Sequence, residues 1–335
     1  GGEFTPMMEH NQKVNSKKIL ILALAKDGRC SPENTRPEGY SVLAEQILRS
    51  KLRCEISVAY LNPSKKEERF ENFYNKPFNS IIITIEYSTP TDDIVNSLYR
   101  FVQNGGGLLI FHDAGCGYTN INRLSEKFGI KFRCDFFGCH EDKKDENICS
   151  LEDYYQQLEQ ENRVGDLEKN IHTNYPPEPW KKRFKVHINK INNEILYWGC
   201  TLHYEEKMGR VDIIEKGEKY HMSLRDNPIY NGYRVIPSGE AISEPTIIIG
   251  KRIGKGKVIC FGGKFVFENS SLCISSHIDL FEEMLNYASS DDPICVPEPN
   301  IRTKMKIWHE KYATKINYLL GILMLILSFL SLLMR

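Results

Sequence analysis

Four residues of metal-ligand type, Cys134, Cys139, His140 and Cys149, fall within sixteen positions of one another. Three thiolates and one imidazole form a donor set that zinc takes tetrahedrally. Against a metal site stand the lack of a paired C-x-x-C spacing and the place of Cys134 in the strand-like run from Ile130 to Phe137. Ordinary thiols, buried or exposed, are the competing account, and the balance favours no metal and no cofactor. A second group is dispersed: Lys26, Asp27, Glu86, Tyr87, His112, Asp113, Gly115 and Lys264 each lie just beyond an apolar run. They can converge on a ligand only if those runs are neighbouring strands of one sheet, because open α/β sheets bind ligands beyond the carboxyl ends of their strands.

The pattern predicts such a sheet. Lys18 to Ala25 is a continuous apolar run of strand length, as expected where helices cover both faces. Helical spacing follows over Pro37 to Leu52. The alternation repeats as strand Cys54–Leu61 with helix Lys65–Tyr74, strand Ser80–Glu86 with helix Asp92–Asn104, and strand Leu108–Phe111 with helix Ile121–Phe128. Strands alternating with helices imply right-handed crossovers and a doubly wound, mostly parallel sheet. Between 137 and 234 the alternation is lost, which reads as an inserted α+β elaboration. It includes an acidic helix within Leu151–Glu168 and strand-like runs at Lys185–Ile191 and Glu194–Thr201. Thr246–Ile249 and Lys257–Phe261 flank a glycine-rich turn, a hairpin signal, and helix His277–Tyr287 closes the domain. His277 opens that helix and reads as a cap or a spare base. Domain bounds follow: a tail or cloning remnant at 1–16, core at 17–136, insertion at 137–234, and core again at 235–288. A proline-bearing linker with a basic juxtamembrane segment then occupies 289–315.

The run Phe101-Val-Gln-Asn-Gly-Gly-Gly-Leu-Leu-Ile-Phe-His112 is followed by Asn122-Arg-Leu-Ser-Glu-Lys-Phe-Gly-Ile130. Together they resemble the class I glutamine-amidotransferase-like superfamily, in the branch of intraflagellar-transport and gliding-motility proteins and trehalose-utilisation-type domains. Gly254-Lys-Gly-Lys-Val-Ile-Cys-Phe-Gly-Gly263 is similar to the family's closing strand. The resemblance covers 17–135 and 235–288, and implies a flavodoxin-like, Rossmann-like body. In catalytic members a cysteine sits on a sharp turn after the central strand, where backbone N–H groups can hold an oxyanion. Within His112-Asp-Ala-Gly-Cys-Gly-Tyr118 that cysteine is Cys116, with His112 as a candidate base. Two departures count against catalysis. Ala114 and Tyr118 stand at glycine positions of the family elbow, and Gly262-Gly-Lys264 stands where catalytic members carry His-x-Glu. Without that imidazole a thiol keeps its ordinary pKa of about 8.5.

Charge and hydropathy set the remaining bounds. Lys plus Arg and Asp plus Glu both number 44, so no electrostatic footprint for nucleic acid exists. Ten scattered cysteines with no secretory signal read mostly as free thiols on the reducing side of a membrane. From Ile316 to Met334 the chain is uncharged, with eight Leu, three Ile and one Phe. Those 19 residues span about 28 Å as a helix, the thickness of a bilayer's hydrocarbon. Arg302, Lys304, Lys306, Lys311 and Lys315 precede that stretch and only Arg335 follows it, which predicts a tail anchor with the large domain in the cytosol. The expectation is a single-pass, tail-anchored scaffold that binds a protein or a small, carbohydrate-type ligand. The alternative is a membrane-anchored, cysteine-dependent hydrolase or amidotransferase using Cys116.

Overall fold

The structure is a computed structural model that describes residues 16–85, 88–113, 121–133, 135–136, 148–161, 182–216, 220–221, 223–225, 235–236, 241–242, 245–299 and 318. Seven strands make the main sheet: β1 (Lys18–Ala23), β2 (Glu55–Tyr60), β3 (Ser80–Thr84), β4 (Gly107–Phe111), β5 (Arg210–Lys216), β6 (Thr246–Ile253) and β7 (Gly256–Phe261). Their spatial order is β5-β6-β7-β4-β3-β1-β2. From β7 to β2 every pairing is parallel, while β6 pairs antiparallel with both β7 and β5.

Alternation along each strand divides the core in two. Ile19, Ile21, Leu109, Phe111, Ile259 and Phe261 face one side and meet helix α2 (Ser275–Ala288) through Ile278, Phe281 and Leu285. Leu20, Leu22, Leu108, Ile110, Val258 and Cys260 face the other and meet α1 (Asp92–Gln103) through Ile94, Leu98, Phe101 and Val102. Both faces are therefore dry, which is why these strands read as unbroken apolar runs. Phe111, Phe267 and Phe281 pack with ring centroids 4.9 to 6.2 Å apart, and each such buried ring contributes roughly 1.5–3 kcal/mol.

Several elements differ from expectation for identifiable reasons. The helix expected over Lys65–Tyr74 is two 3₁₀ turns, Lys66–Glu68 and Phe70–Phe73. Arg69 between them is extended, because its backbone bridges Tyr60 at the end of β2. The helix expected from Pro37 begins near residue 41 and runs as a π-helix over Leu43–Lys51, with Leu52 donating to Ile47 five residues back. β5 carries Arg210, Asp212, Glu215 and Lys216 and was not anticipated as a sheet strand, since its charges mask a short apolar alternation. Residues 289–296, at the start of the proline-bearing linker, are fastened to the domain. Ile294–Cys295 pairs with Pro77–Phe78, Ser290 donates to the Asn79 carbonyl, and Val296 is buried.

The Gly105-Gly106-Gly107 run has a purely packing origin. Gly105 needs its φ of 120°, and a side-chain carbon on Gly107 would meet the Ala288 carbonyl oxygen at 1.9 Å. Among the described residues no helix is long and apolar enough to cross a membrane. Of the 316–334 stretch only Tyr318 is described, in helical geometry with its side chain exposed.

Candidate functional site

β4 and β7 end side by side, and this register carries their next residues into contact. The His112 amide donates to the Phe261 carbonyl, and the Lys264 amide donates to the His112 carbonyl at 3.3 Å. From those positions Lys264 Nζ reaches Asp113 Oδ1 at 3.2 Å, with the Lys264 side chain 4% and the Asp113 side chain 20% exposed. Burial alone would push the Asp113 carboxyl up. The Lys264 ammonium, with His112 beside it, outweighs that and holds the carboxyl below its ordinary value. Of the predicted strand-end group, the structure thus brings together His112, Asp113 and Lys264. Lys26 and Asp27 follow β1, where Lys26 pairs with Glu33 at 2.7 Å in an exposed contact that raises the lysine's pKa. Glu86, Tyr87, Gly115 and Cys116 lie outside the described residues. So do Cys134, Cys139 and His140, while Cys149 belongs to the strand Ile148–Ser150. Among the described residues no group of three or more metal-ligating side chains occurs.

His112 is 1% exposed, and its ring meets Phe132 edge-on at 5.5 Å. His277 is wholly buried and does not serve as a simple helix cap. Its Nδ1 donates to the Ser271 carbonyl at 2.8 Å, and its Nε2 accepts from the Leu196 amide at 3.0 Å. Burial, helped by the Arg183 guanidinium, lowers its pKa to about 3. It is a neutral connector between the insertion and the core, with both ring nitrogens occupied.

The residues that close the strand end were missed in the sequence. Backbone of the insertion, Tyr197-Trp198-Gly199-Cys200, crosses directly over Gly262 and Gly263. The Cys200 amide donates to the Gly262 carbonyl at 3.0 Å, and Tyr197 Oη donates to the Cys200 carbonyl. A side-chain carbon on Gly262 would stand 2.1 Å from the Cys200 carbonyl oxygen, and one on Gly199 would stand 1.9 Å from that of Gly262. Trp198 stacks on Phe265 with centroids 4.5 Å apart. Beyond it, Arg183 reaches Ser271 Oγ at 2.6 Å, and Arg29 approaches the buried Glu268 at 3.8 Å. Asn269 secures the loop after β1: it accepts from the Val42 amide and donates to the Asn34 and Arg36 carbonyls. Each of those bonds contributes about 1 kcal/mol net. Arg183 lies two residues before the strand-like run read from Lys185, and Glu268-Asn-Ser-Ser271 is not singled out in the sequence. The local signal was the buried-type doublet Gly262-Gly263 alone.

Chemically, the described arrangement offers a neutralised ion pair, an enclosed imidazole and a histidine held neutral. Two cavities among the described residues lie away from this strand end. One of about 30 Å³ sits under α2 against Ile213, Ile248 and Ile259. A groove of about 500 Å³ lies along β5, lined by Tyr204, Gly209, Arg210, Asp212 and Ile214, toward the amino ends of the parallel strands.

No family model matches the chain, and no curated protein matches it either. Among solved structures the chain is similar to the mmIFT52 N-terminal domain, at 14% identity and a TM-score of 0.44, over 82% of this chain and 98% of that one. It is also similar to a ThuA-like protein from Parabacteroides merdae, at 11% identity and a TM-score of 0.34, over 78% and 90% of the two chains. A further likeness is to the GH42 β-galactosidase Gan42B from G. stearothermophilus, at 11% identity and a TM-score of 0.36, where 81% of this chain spans only 30% of the enzyme.

Proposed function

We propose that this chain is a membrane-tethered, non-catalytic, amidotransferase-like domain that serves as a binding scaffold on the cytosolic face of a membrane. The observation that carries the reading is the crossing of Tyr197–Cys200 over Gly262 and Gly263. In the family that the motifs resemble, that strand end bears the imidazole that activates the thiol. Here the place is taken by backbone, and the next residue with a charged head, Lys264, is engaged with Asp113. Support for the tether is the uncharged, hydrocarbon-length stretch 316–334 with its one-sided basic flank. A chain carrying 44 positive and 44 negative side chains suits protein contacts better than nucleic acid.

The competing enzyme reading rests on Cys116 following β4, with His112 four residues before it. The enclosure of His112 against Phe132 weighs against it, since a general base must reach the proton it takes.

The tether is tested by fractionating cells that express the full chain. Alkaline carbonate washing should leave the chain in the membrane pellet, while a version truncated before residue 316 should move to the supernatant. In sealed vesicles, protease should digest the large domain from the cytosolic side. Release of the full chain by carbonate, or protection of the domain, would remove the tether from the account.

A further inference from the structure

We infer that the segment 289–299 decides which way the domain faces: it turns the amino ends of the parallel strands toward the lipid surface and leaves their carboxyl ends, where His112, Asp113 and Lys264 meet, open to the cytosol. The inference rests on the tether reading and adds an orientation to it. After α2 the chain does not leave the domain but crosses the amino ends of the sheet, fastened along its length. Ser289 Oγ lies 3.1 Å from the Oγ of Ser80, the first residue of β3. Asn79, just before that strand, donates from its side chain to the Ser290 and Asp291 carbonyls at 2.9 and 3.2 Å, and its Oδ1 accepts from the Lys18 amide at the start of β1. Ile294–Cys295 pairs with Pro77–Phe78, and the buried Val296 donates to the Lys76 carbonyl and accepts from the Asn75 amide. Glu298 makes the last fastening: Asn75 Nδ2 donates to its carboxylate at 2.9 Å, and Arg100 donates to its carbonyl at 2.8 Å.

Length then limits what the tether can do. Sixteen residues, 300–315, separate the end of this segment from the uncharged stretch that begins at 316. Fully extended they would span at most about 55 Å, and as a relaxed coil about 22 Å. By the scaling of size with length, the roughly 280 residues from 17 to 299 make a body about 48 Å across. A relaxed leash therefore suits lipid at the amino ends, where the fastened segment finishes. To lay the carboxyl ends on the bilayer, the same leash would have to run the height of the body nearly taut, a state of very few conformations. Were the chain unfastened from residue 289 onward, the twenty-seven residues to 315 would reach about 95 Å, and either end of the sheet could meet the lipid. The fastening at Asn79, Phe78 and Asn75 removes that freedom.

The test uses the full chain in vesicles of phosphatidylcholine, which carry no net charge to bias the result, with a headgroup-labelled acceptor lipid in the outer leaflet. A fluorescent amino acid replaces either Lys255, exposed on the turn between β6 and β7 at the amino ends, or Asp27, exposed beyond the carboxyl end of β1. Energy transfer to the acceptor should be at least about threefold greater from position 255 than from position 27, since the width of the body separates them. A flexible glycine–serine spacer of sixteen residues inserted after Pro299 should bring the two signals within about 1.5-fold of each other. Equal transfer from the two positions of the parent chain, or greater transfer from position 27, would overturn the inference. So would a difference that survives the spacer, since something other than the fastened segment would then choose the face. Chains that do not float with the vesicles would sink the tether reading and the orientation with it, whereas equal transfer from chains that do float would remove the orientation alone.

Discussion

A Gly262→His variant, which sets an imidazole where catalytic members of the resembled superfamily carry one, is expected to lose about 3 kcal/mol of stability and to gain no amidase or esterase activity. The cost arises at the first side-chain carbon. It would stand 2.1 Å from the Cys200 carbonyl oxygen and 2.6 Å from Tyr197 Oη. Neither neighbour can yield cheaply, because the Cys200 amide and carbonyl are both hydrogen-bonded in place, to the Gly262 carbonyl and to Tyr197. Gly262→Ala meets the same two atoms and should forfeit most of the same stability. This separates a steric cause from one peculiar to histidine. Urea unfolding followed by circular dichroism measures both. Near-native stability of the histidine variant would mean that the strap over the closing strand is loose enough to admit a catalytic group.

The second large effect is a loss of stability in mild acid that traces to one residue. His277 is neutral when folded, with its pKa lowered to about 3 by burial and by Arg183. The unfolded chain takes up that proton at the ordinary imidazole value of about 6.5. Between those two values the unfolded state binds more protons than the folded one, so stability falls as pH falls; above the window the contribution is constant, and below it the loss is complete. Each pH step inside the window costs about 1.4 kcal/mol, and the whole window removes on the order of 5 kcal/mol. Asp113, whose carboxyl is held below its ordinary value of 3.8, adds acid sensitivity only from about that value downward, at the acid end of the window and beneath it. His277→Gln can donate to Ser271 and accept from Leu196 without titrating. It should therefore be about 1 kcal/mol less stable at neutral pH and markedly flatter from pH 6.5 to 4. A variant as acid-sensitive as the parent protein would place the effect elsewhere.

How far the sequence reveals the molecule follows from where its information is local. β1, β3, β4 and β7 are legible because both faces of each are buried, so the whole strand is apolar. α1 is legible because Thr91 caps it and its buried stripe has helical spacing. β5 is hidden because an edge strand needs only one buried face and carries charge on the rest. The 3₁₀ turns in place of a helix at 66–73 depend on a bridge from Arg69 to Tyr60, a tertiary contact that no local propensity encodes. The same holds at the strand end. His112, Asp113 and Lys264 were legible as residues just beyond strands of one sheet, whereas the strap from Tyr197 to Cys200 comes from an insertion some sixty residues away in the chain. Gly262 and Gly263 read in the sequence only as a departure from His-x-Glu, and the close approach they permit is seen in the structure.

The account turns on a strand end that cannot activate a thiol. The most direct measurement is the pH dependence of Cys116 alkylation by iodoacetamide in the full chain, read on its own peptide by mass spectrometry. The account predicts a rate that follows an apparent pKa of about 8.5 and is indifferent to His112→Asn. Rapid labelling at pH 6 that disappears in the His112→Asn variant would contradict it.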